Sequence, residues 1–417
     1  MNTELSNFAA RLREGIRSFS DVGDDVRSLN LENRKSEIEN SKRSEPPHVG
    51  SYGDSFNSLA LELFALQFQH NASYRKICER RGITPETAGH WTQIPAVPTV
   101  AFKELEMTCL APAGRTAVFH SSGTTGQKPS RHFHNAGSLA VYGDSLWPWF
   151  QANVAMGAPG TVPARTTPDE KHADSAIGAP ATQPFQLVIL TPPPASAPHS
   201  SLVHMFEIIR QKLGAPATAF VGKLTDDGAW TLDFRAAVDA LSPGVSRPTP
   251  RVRLLLGTAF SFVHLLDYLA ENDLRFQLPA GSRVMETGGY KNRSRSLPKT
   301  ELHQLITERL GVPRENIICE YGMSELSSQA YDAPRLAPCA PRLFRFPHWA
   351  RVQIVSPETG REVAEGETGL IRVYDLANVF SVMAVQTEDL GVRRGGGFEL
   401  TGRAAKAEAR GCSLMTA

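Results

Sequence analysis

Charge of one sign is the first thing this sequence lacks. Its 417 residues carry 44 Lys and Arg against 43 Asp and Glu, a formal charge of +1. That balance excludes the global basic excess of a whole-chain nucleic-acid binder, and no nucleic-acid partner is expected. Cysteine is scarce: Cys78, Cys109, Cys319, Cys339 and Cys412 are scattered and odd in number. With no C-x-x-C pair and no Cys/His cluster, they argue against zinc and for reduced thiols in a cytosolic compartment. No uninterrupted apolar run approaches the roughly 18 residues that span a bilayer, so no membrane span is expected. The opening residues, MNTELSNFAARLREG, hold acidic groups and no apolar h-region, so a secretory signal is not expected either. A soluble cytoplasmic protein follows. No internal repeat is visible.

What is present is an ordinary globular mixture, 41% hydrophobic and 21% charged, able to bury a core. The length suggests about two to four domains. Residues 1–50 form a polar extension ending in a Pro/Gly/Ser boundary, with Phe8, Leu12, Ile16 and Phe19 spaced for a peripheral amphipathic helix. From Ser55 the apolar spacing is helical and continues through NASYRKICERRG, with Gly82 as its stop. IPAVPTVAFKELEM reads as an extended turn entering a short helix. Residues 156–198 hold nine prolines around one strand-like stretch, FQLVIL.

Strand, glycine turn and helix then recur in RVRLLLGTAF, SRVMETGGY and ENIICEYGMSE, with helices at SSLVHMFEIIRQKLG, FVHLLDYLAEN and the capped SLPKTELHQLITERLG. The pattern predicts an α/β core over 51–345 with its loops at the sheet ends. After Pro347, alternation around turn signals predicts a β-rich subdomain over 346–400, followed by a tail over 401–417. Phe260, Phe262 and His264 stand either in a substrate pocket or in the core.

The chemistry concentrates in FHSSGTTGQKPSRH. Ser121, Ser122, Gly123, Thr124, Thr125 and Gly126 can fold into a concave nest of backbone N–H groups and hydroxyls, with Lys128 adding charge. Such a loop suits a polyphosphate, although a plain surface turn has the same composition. It is not a Walker A loop, which needs four residues between its glycines. His120, at the loop edge, either meets substrate or packs. In EYGMSEL, Tyr321 can stack on a base and Glu325 can hold Mg²⁺ bridging phosphates. TEDLG offers Asp389 to ribose hydroxyls, and LTGR supplies Arg403 after a glycine. Taken singly, each is weak: such an Asp more often caps a turn, and such an Arg more often forms a surface ion pair. Their order along the chain carries the signal.

That ordered set resembles the adenylate-forming superfamily of acyl-activating enzymes: SSGTTG its phosphate loop, YGMSE (Tyr321 to Glu325, including Ser324) its Tyr-Gly-x-Ser/Thr-Glu motif, TEDLG its ribose-binding Asp motif, TGR its hinge motif. By the same resemblance, Gly288 and Gly289 of METGGY lie beside the adenine. NASYRKICERRG, IPAVPTVAFK, SSGTTG, HSSLVHM, EYGMSEL and RGCSL are similar to the acyl-protein synthetases, the luciferin-component ligases of bacterial fatty-acid reductase complexes, from about residue 55 onward. Two departures stand out. Lys128 precedes Pro129 where the superfamily has Pro-Lys, and with 14 residues after Arg403 the mobile C-terminal domain of acyl-CoA ligases is expected to be essentially absent.

The resemblance implies a large layered α/β domain, ATP and Mg²⁺ as cofactors, a carboxylic, fatty-acid-like substrate, and an acyl-accepting reductase as partner. An oligomer is possible. Activation as acyl-AMP precedes attack by a thiolate. Cys412 is the candidate, since a tail of nine residues beyond Arg403 reaches at most roughly 30 Å and Arg410 can lower a thiol pKa of about 8.5. Packing suits the other four cysteines better. A carboxylate–CoA ligase and a non-catalytic nucleotide- or acyl-binding subunit are the alternatives.

Overall fold

The computed structural model describes residues 3–32, 50–121, 128–155, 185–215, 218–226, 228–242, 251–290, 294–332 and 342–404. They divide into two compact units, one of residues 1–148, 323–330 and 343–417, the other of residues 149–322 and 331–342.

The first unit begins with α1 (Thr3–Glu32), whose Leu5, Phe8, Leu12 and Ile16 are all buried at the helical spacing the sequence shows. The next predicted helix is interrupted. α2 (Gly50–His70) stops and α3 (Ala72–Arg80) starts at Asn71, whose side-chain oxygen accepts the Tyr74 N–H at 3.0 Å. One N-cap residue resets the backbone where the apolar period runs on unbroken. Gly82 ends α3 with φ of +66°, as expected of a helix stop. β1 (Val97–Pro98) and α4 (Ala101–Glu104) form the extended turn and short helix. β2 (Ala117–His120) and β3 (Arg131–His134) pair antiparallel, Phe119 opposite His132. α5 (Ala136–Phe150) leads the chain onward into a π-helical turn at Gln151–Ala155.

The second unit realises the strand–turn–helix repetition. In chain order it contains β4 (Gln186–Ile189), α6 (Ser201–Leu213), β5 (Thr218–Phe220), a hairpin of β6 (Gly222–Leu224) and β7 (Trp230–Leu232), then α7 (Phe234–Leu241), β8 (Arg253–Thr258) and α8 (Ala259–Glu271). β9 (Arg283–Thr287), α9 (Lys299–Leu310) and β10 (Ile317–Tyr321) follow, and β11 (Ala330–Tyr331) comes where the chain returns. The sheet order is β11-β10-β9-β8-β4-β5, and β10, β9, β8, β4 and β5 run parallel. β8, β9 and β10 are buried along their whole length, and β8 shows it in the run Leu254, Leu255, Leu256, whereas β9 and β10 bury the charged Glu286 and Glu320 as well. Leu255, Phe262, Leu266, Val284, Ile306 and Ile317 join in one core. Phe262 is thus core, and Phe260 is buried too. α9 lacks the side-chain N-cap its sequence suggests, because Pro298 fills that position, while Gly311 closes its C-terminus at φ of +67°.

The described residues close with an antiparallel meander of β12 (Ala350–Val355), β13 (Thr368–Asp375), β14 (Ala384–Arg394) and β15 (Gly397–Arg403). It is not a subdomain of its own. β14 also pairs in parallel with β1, Val97 against Val385, so residues 343–417 fall in one unit with residues 1–148. Local alternation reveals the strands but not a partner nearly three hundred residues upstream. The 51–345 segment likewise divides between both units. Among the described residues no helix is long and apolar enough to cross a membrane.

Candidate active site

In the first unit, the glycine loop joins β2 to β3 in the sequence, and the two strands pair antiparallel. The hairpin mouth is closed by Ser121, whose N–H donates to the Ser130 carbonyl at 3.3 Å and whose hydroxyl accepts the Ser130 N–H at 3.0 Å. Ser122, Gly123, Thr124, Thr125 and Gly126 lie outside the described residues, as does Cys412. Lys128 stands 3.9 Å from Glu104, both more than half exposed, so the pair fixes little.

Glu325 is the hub. Its carboxylate is buried, and Oε1 accepts the Ser130 hydroxyl at 3.0 Å and lies 3.5 Å from His132 Nε2. Burial pushes its pKa up, but the neighbouring His132 and the hydrogen bonds from His132 and Ser130 outweigh that and hold it below the ordinary carboxylate value. His132 is itself buried beside the Phe102 ring, centroids 5.0 Å apart.

Ser130, His132 and Glu325 do not form a nucleophilic triad. Ser130 Oγ sits 2.9 Å from His132 Nε2, the same nitrogen that faces the carboxylate, whereas a triad needs acid and nucleophile on opposite ring nitrogens. The cluster holds a carboxylate in place.

The backbone around Glu325 is clamped as well. The Asn378 amide donates to the Glu325 carbonyl at 2.8 Å, and the buried Asp375 accepts the N–H groups of Ser327 and Ser328 at 2.9 and 2.8 Å. The Ser324 hydroxyl donates to the His120 carbonyl at 3.3 Å, so His120 meets this segment through its backbone. Glu325, His132, Ser324, Ser327 and Asn378 line a pocket. Among the described residues no group of three or more His, Cys, Asp and Glu is placed to hold a metal ion. An anionic carboxylate on a pocket wall nevertheless fits Mg²⁺, which takes one or two protein carboxylates and completes its shell with phosphates and water.

Asp389 and Arg403 are cross-strand partners in the β14–β15 register, with Arg403 Nε 3.7 Å from Asp389 and Nη2 3.2 Å from Glu388. The structure therefore brings together two residues that sequence order could only align.

In the second unit, Gly288 and Gly289 follow β9 and Tyr321 ends β10, on adjacent parallel strands whose last registered pair is Thr287 with Glu320. Gly288 has φ of +70°, and among the described residues a Cβ there or at Gly289 would meet nothing within 4 Å. Tyr321 is buried. Below it, the Thr287 hydroxyl donates to the Glu320 carboxylate. Burial raises the Glu320 pKa to about 7, with Glu286 adding to the rise.

The described cysteines are thiols held neutral by packing: burial pushes Cys78 up to about 11, Cys109 up to about 12, and Cys319 upward as well. Cys339 lies outside the described residues. Sequence reasoning missed Ser130, His132, Asp375 and Asn378, which hold the Glu325 segment. No spacing marks them, because their role exists only once residues some 50 to 195 positions apart meet.

A family model, "Acyl-protein synthetase, LuxE", matches residues 140–417. A long-chain-fatty-acid–luciferin-component ligase of Vibrio harveyi is 22% identical over 366 residues, 84% of each chain. One of Aliivibrio fischeri is 27% identical over 141 residues, 33% of this chain and 35% of that protein, so in that match the chain spans about a third of its relative's length. Crystal structures of 2-hydroxyisobutyryl-CoA ligase superpose with TM-score 0.58. The open form with 2-HIB-AMP and CoA is 12% identical, covering 88% of this chain and 81% of that one. The thioesterification state is 13% identical, covering 88% and 74%. At such identity the likeness establishes the fold, which is that of adenylate-forming ligases.

Proposed function

This chain belongs to the acyl-protein synthetase family, LuxE, and on that premise we propose that it activates a fatty-acid-like carboxylate with ATP and then carries the acyl group on Cys412. The observation that carries the reading is the 3.0 Å hydrogen bond between Ser130 and Glu325. It ties the base of the glycine loop to a motif 195 residues away, as a shared phosphate site requires.

A carboxylate resists nucleophiles because it is already anionic and would have to expel oxide. Attack of its oxygen on the α-phosphorus of ATP forms acyl-AMP and releases pyrophosphate. Positioning and charge stabilisation supply most of the catalysis in such a transfer. Ser121 to Gly126 and Lys128 hold the phosphates, Tyr321 stacks on the base beside Gly288 and Gly289, and Asp389 accepts the ribose hydroxyls. Arg403, already at Asp389, orients that carboxylate, and Ser324 fixes the turn before Glu325. Mg²⁺ would be held by Glu325 and, when bound, would offset negative charge on the departing pyrophosphate.

In the second half-reaction the Cys412 thiolate attacks the acyl carbon and AMP leaves, giving a thioester whose acyl group passes to a partner such as an acyl reductase. We place the reaction in the cytoplasm, where thiols stay reduced.

Cys412→Ser is expected to keep carboxylate-dependent ATP–pyrophosphate exchange and to lose thioester labelling of the protein by radioactive acid. Unchanged labelling removes Cys412 from the mechanism. Rapid acyl-CoA formation on adding CoA makes the protein a carboxylate–CoA ligase, and absence of AMP release across a panel of acids makes it a binding subunit.

A further inference from the structure

Asp332 is fully buried, where an ionised carboxylate persists only if its neighbours replace the lost hydration. Both of its oxygens are engaged. Oδ1 accepts the Cys319 N–H at 2.7 Å and Arg342 Nη2 at 3.1 Å, and Oδ2 takes the Lys299 ammonium. Its backbone takes part too: the Asp332 N–H donates to the Cys319 carbonyl at 3.1 Å, and the Asp332 carbonyl accepts Arg342 Nε at 3.1 Å. Arg342 reaches further, to the carbonyls of Arg314 and Ile317 at the root of β10.

The peptide groups of Cys319 are therefore gripped at both N–H and C=O, two residues before Tyr321. Lys299 brings in α9, and Arg342 brings in the turn that precedes the strand. Asp332 also stands where the chain re-enters the second unit, having left it after Gly322. One carboxylate thus fixes the end of β10 from three directions.

We propose that Asp332, held by Lys299 and Arg342, is a positioning residue that sets the end of β10, so that Tyr321 beside Gly288 keeps the orientation needed to stack on a nucleotide base. This rests on the nucleotide reading given above. Stacking depends on ring tilt. A loosened strand end spreads the ring over several orientations and weakens nucleotide binding without altering chemistry at the α-phosphorus.

The test combines ¹⁹F NMR with steady-state kinetics on the full chain. With the eight tyrosines replaced by 3-fluorotyrosine, Tyr321→Phe identifies the Tyr321 resonance by its loss. In Asp332→Asn the amide oxygen still accepts the Cys319 N–H, while the lost charge releases Lys299 and Arg342. The Tyr321 resonance is expected to shift or broaden, and KM for ATP in ATP–pyrophosphate exchange to rise about tenfold, with kcat and KM for the acid held. Lys299→Arg keeps the charge and is expected to keep the wild-type KM.

A merely structural role would lower the amount of active protein and hence kcat, leaving KM for ATP unchanged. That result, or an unmoved resonance, overturns the inference. If Asp332→Asn does not fold, Arg342→Lys, which keeps the charge and drops the fork, carries the same readouts. If the wild-type protein exchanges no pyrophosphate with any acid, the activation reading fails, and the Tyr321 resonance still decides the role of Asp332.

Discussion

Glu320 and Glu325 belong to one short segment, and both are buried, yet their surroundings shift their pKa values in opposite directions. Glu325 has a histidine and a hydroxyl to stabilise its anion. Glu320 has the Thr287 hydroxyl but also the adjacent Glu286, and burial dominates, lifting its pKa from 4.5 to about 7. A folded-state pKa above the unfolded one means that the native protein binds the proton more tightly. The stability Glu320 contributes is full below pH 4.5, declines as pH rises through that value and is gone above about 7. At 1.36 kcal/mol per unit, the difference is on the order of 3 kcal/mol. Glu320→Gln keeps an acceptor for Thr287 and removes the titration. The variant is expected to gain stability relative to wild type as pH rises from 5 to 8, read from urea melts at matched pH. Parallel stability curves would remove Glu320 as the titrating group. Glu325 was legible as a motif position. The contrast between the two glutamates was not, because it is set by His132, Thr287 and Glu286, none of them a local neighbour in sequence.

At the scale of elements, patterns that repeat within one segment were legible and single-residue events were not. β13 buries alternate residues over its first half as its sequence pattern signals, and α6 is capped by Ser200 at its start and Gly214 at its end as its sequence signals. The break at Asn71 escaped, because Tyr74 and Cys78 continue the apolar period into α3 and both are buried. The N-cap bond from the Tyr74 N–H is what makes two helices of one. Asn71→Ala leaves that donor unmet in a buried site and is expected to cost about 1 kcal/mol, measured by denaturant unfolding. Asn71→Ser, which keeps an N-cap acceptor and drops a buried amide nitrogen that has no partner among the described residues, is expected to cost less. Equal losses would show that the cap bond is not what the side chain contributes.

Over the whole chain, sequence separation misleads most. A texture change near Pro347 suggests that the last residues form a subdomain of their own, but their contacts run the other way. Val97 and Pro98 extend the sheet beside Val385 and Gln386. The buried Gln67 side chain donates to the Asn378 and Val379 carbonyls at 2.8 and 3.2 Å and accepts the Met383 N–H at 3.0 Å. The Trp91 ring meets Tyr374 edge-on at 4.8 Å. Each of these leaves a backbone donor, acceptor or large ring without its partner if the segment is cut away, and buried groups of that kind are costly to strand. A fragment of residues 346–417 is therefore expected to show the far-ultraviolet circular dichroism of an unfolded chain and no cooperative melt. Mixing it with a fragment of residues 1–345 is expected to restore strand signal, since the missing edge and cap are then supplied in trans. A cooperative thermal transition in the isolated fragment would show that the meander folds without β1 and α2, and that the sequence boundary is a physical one after all.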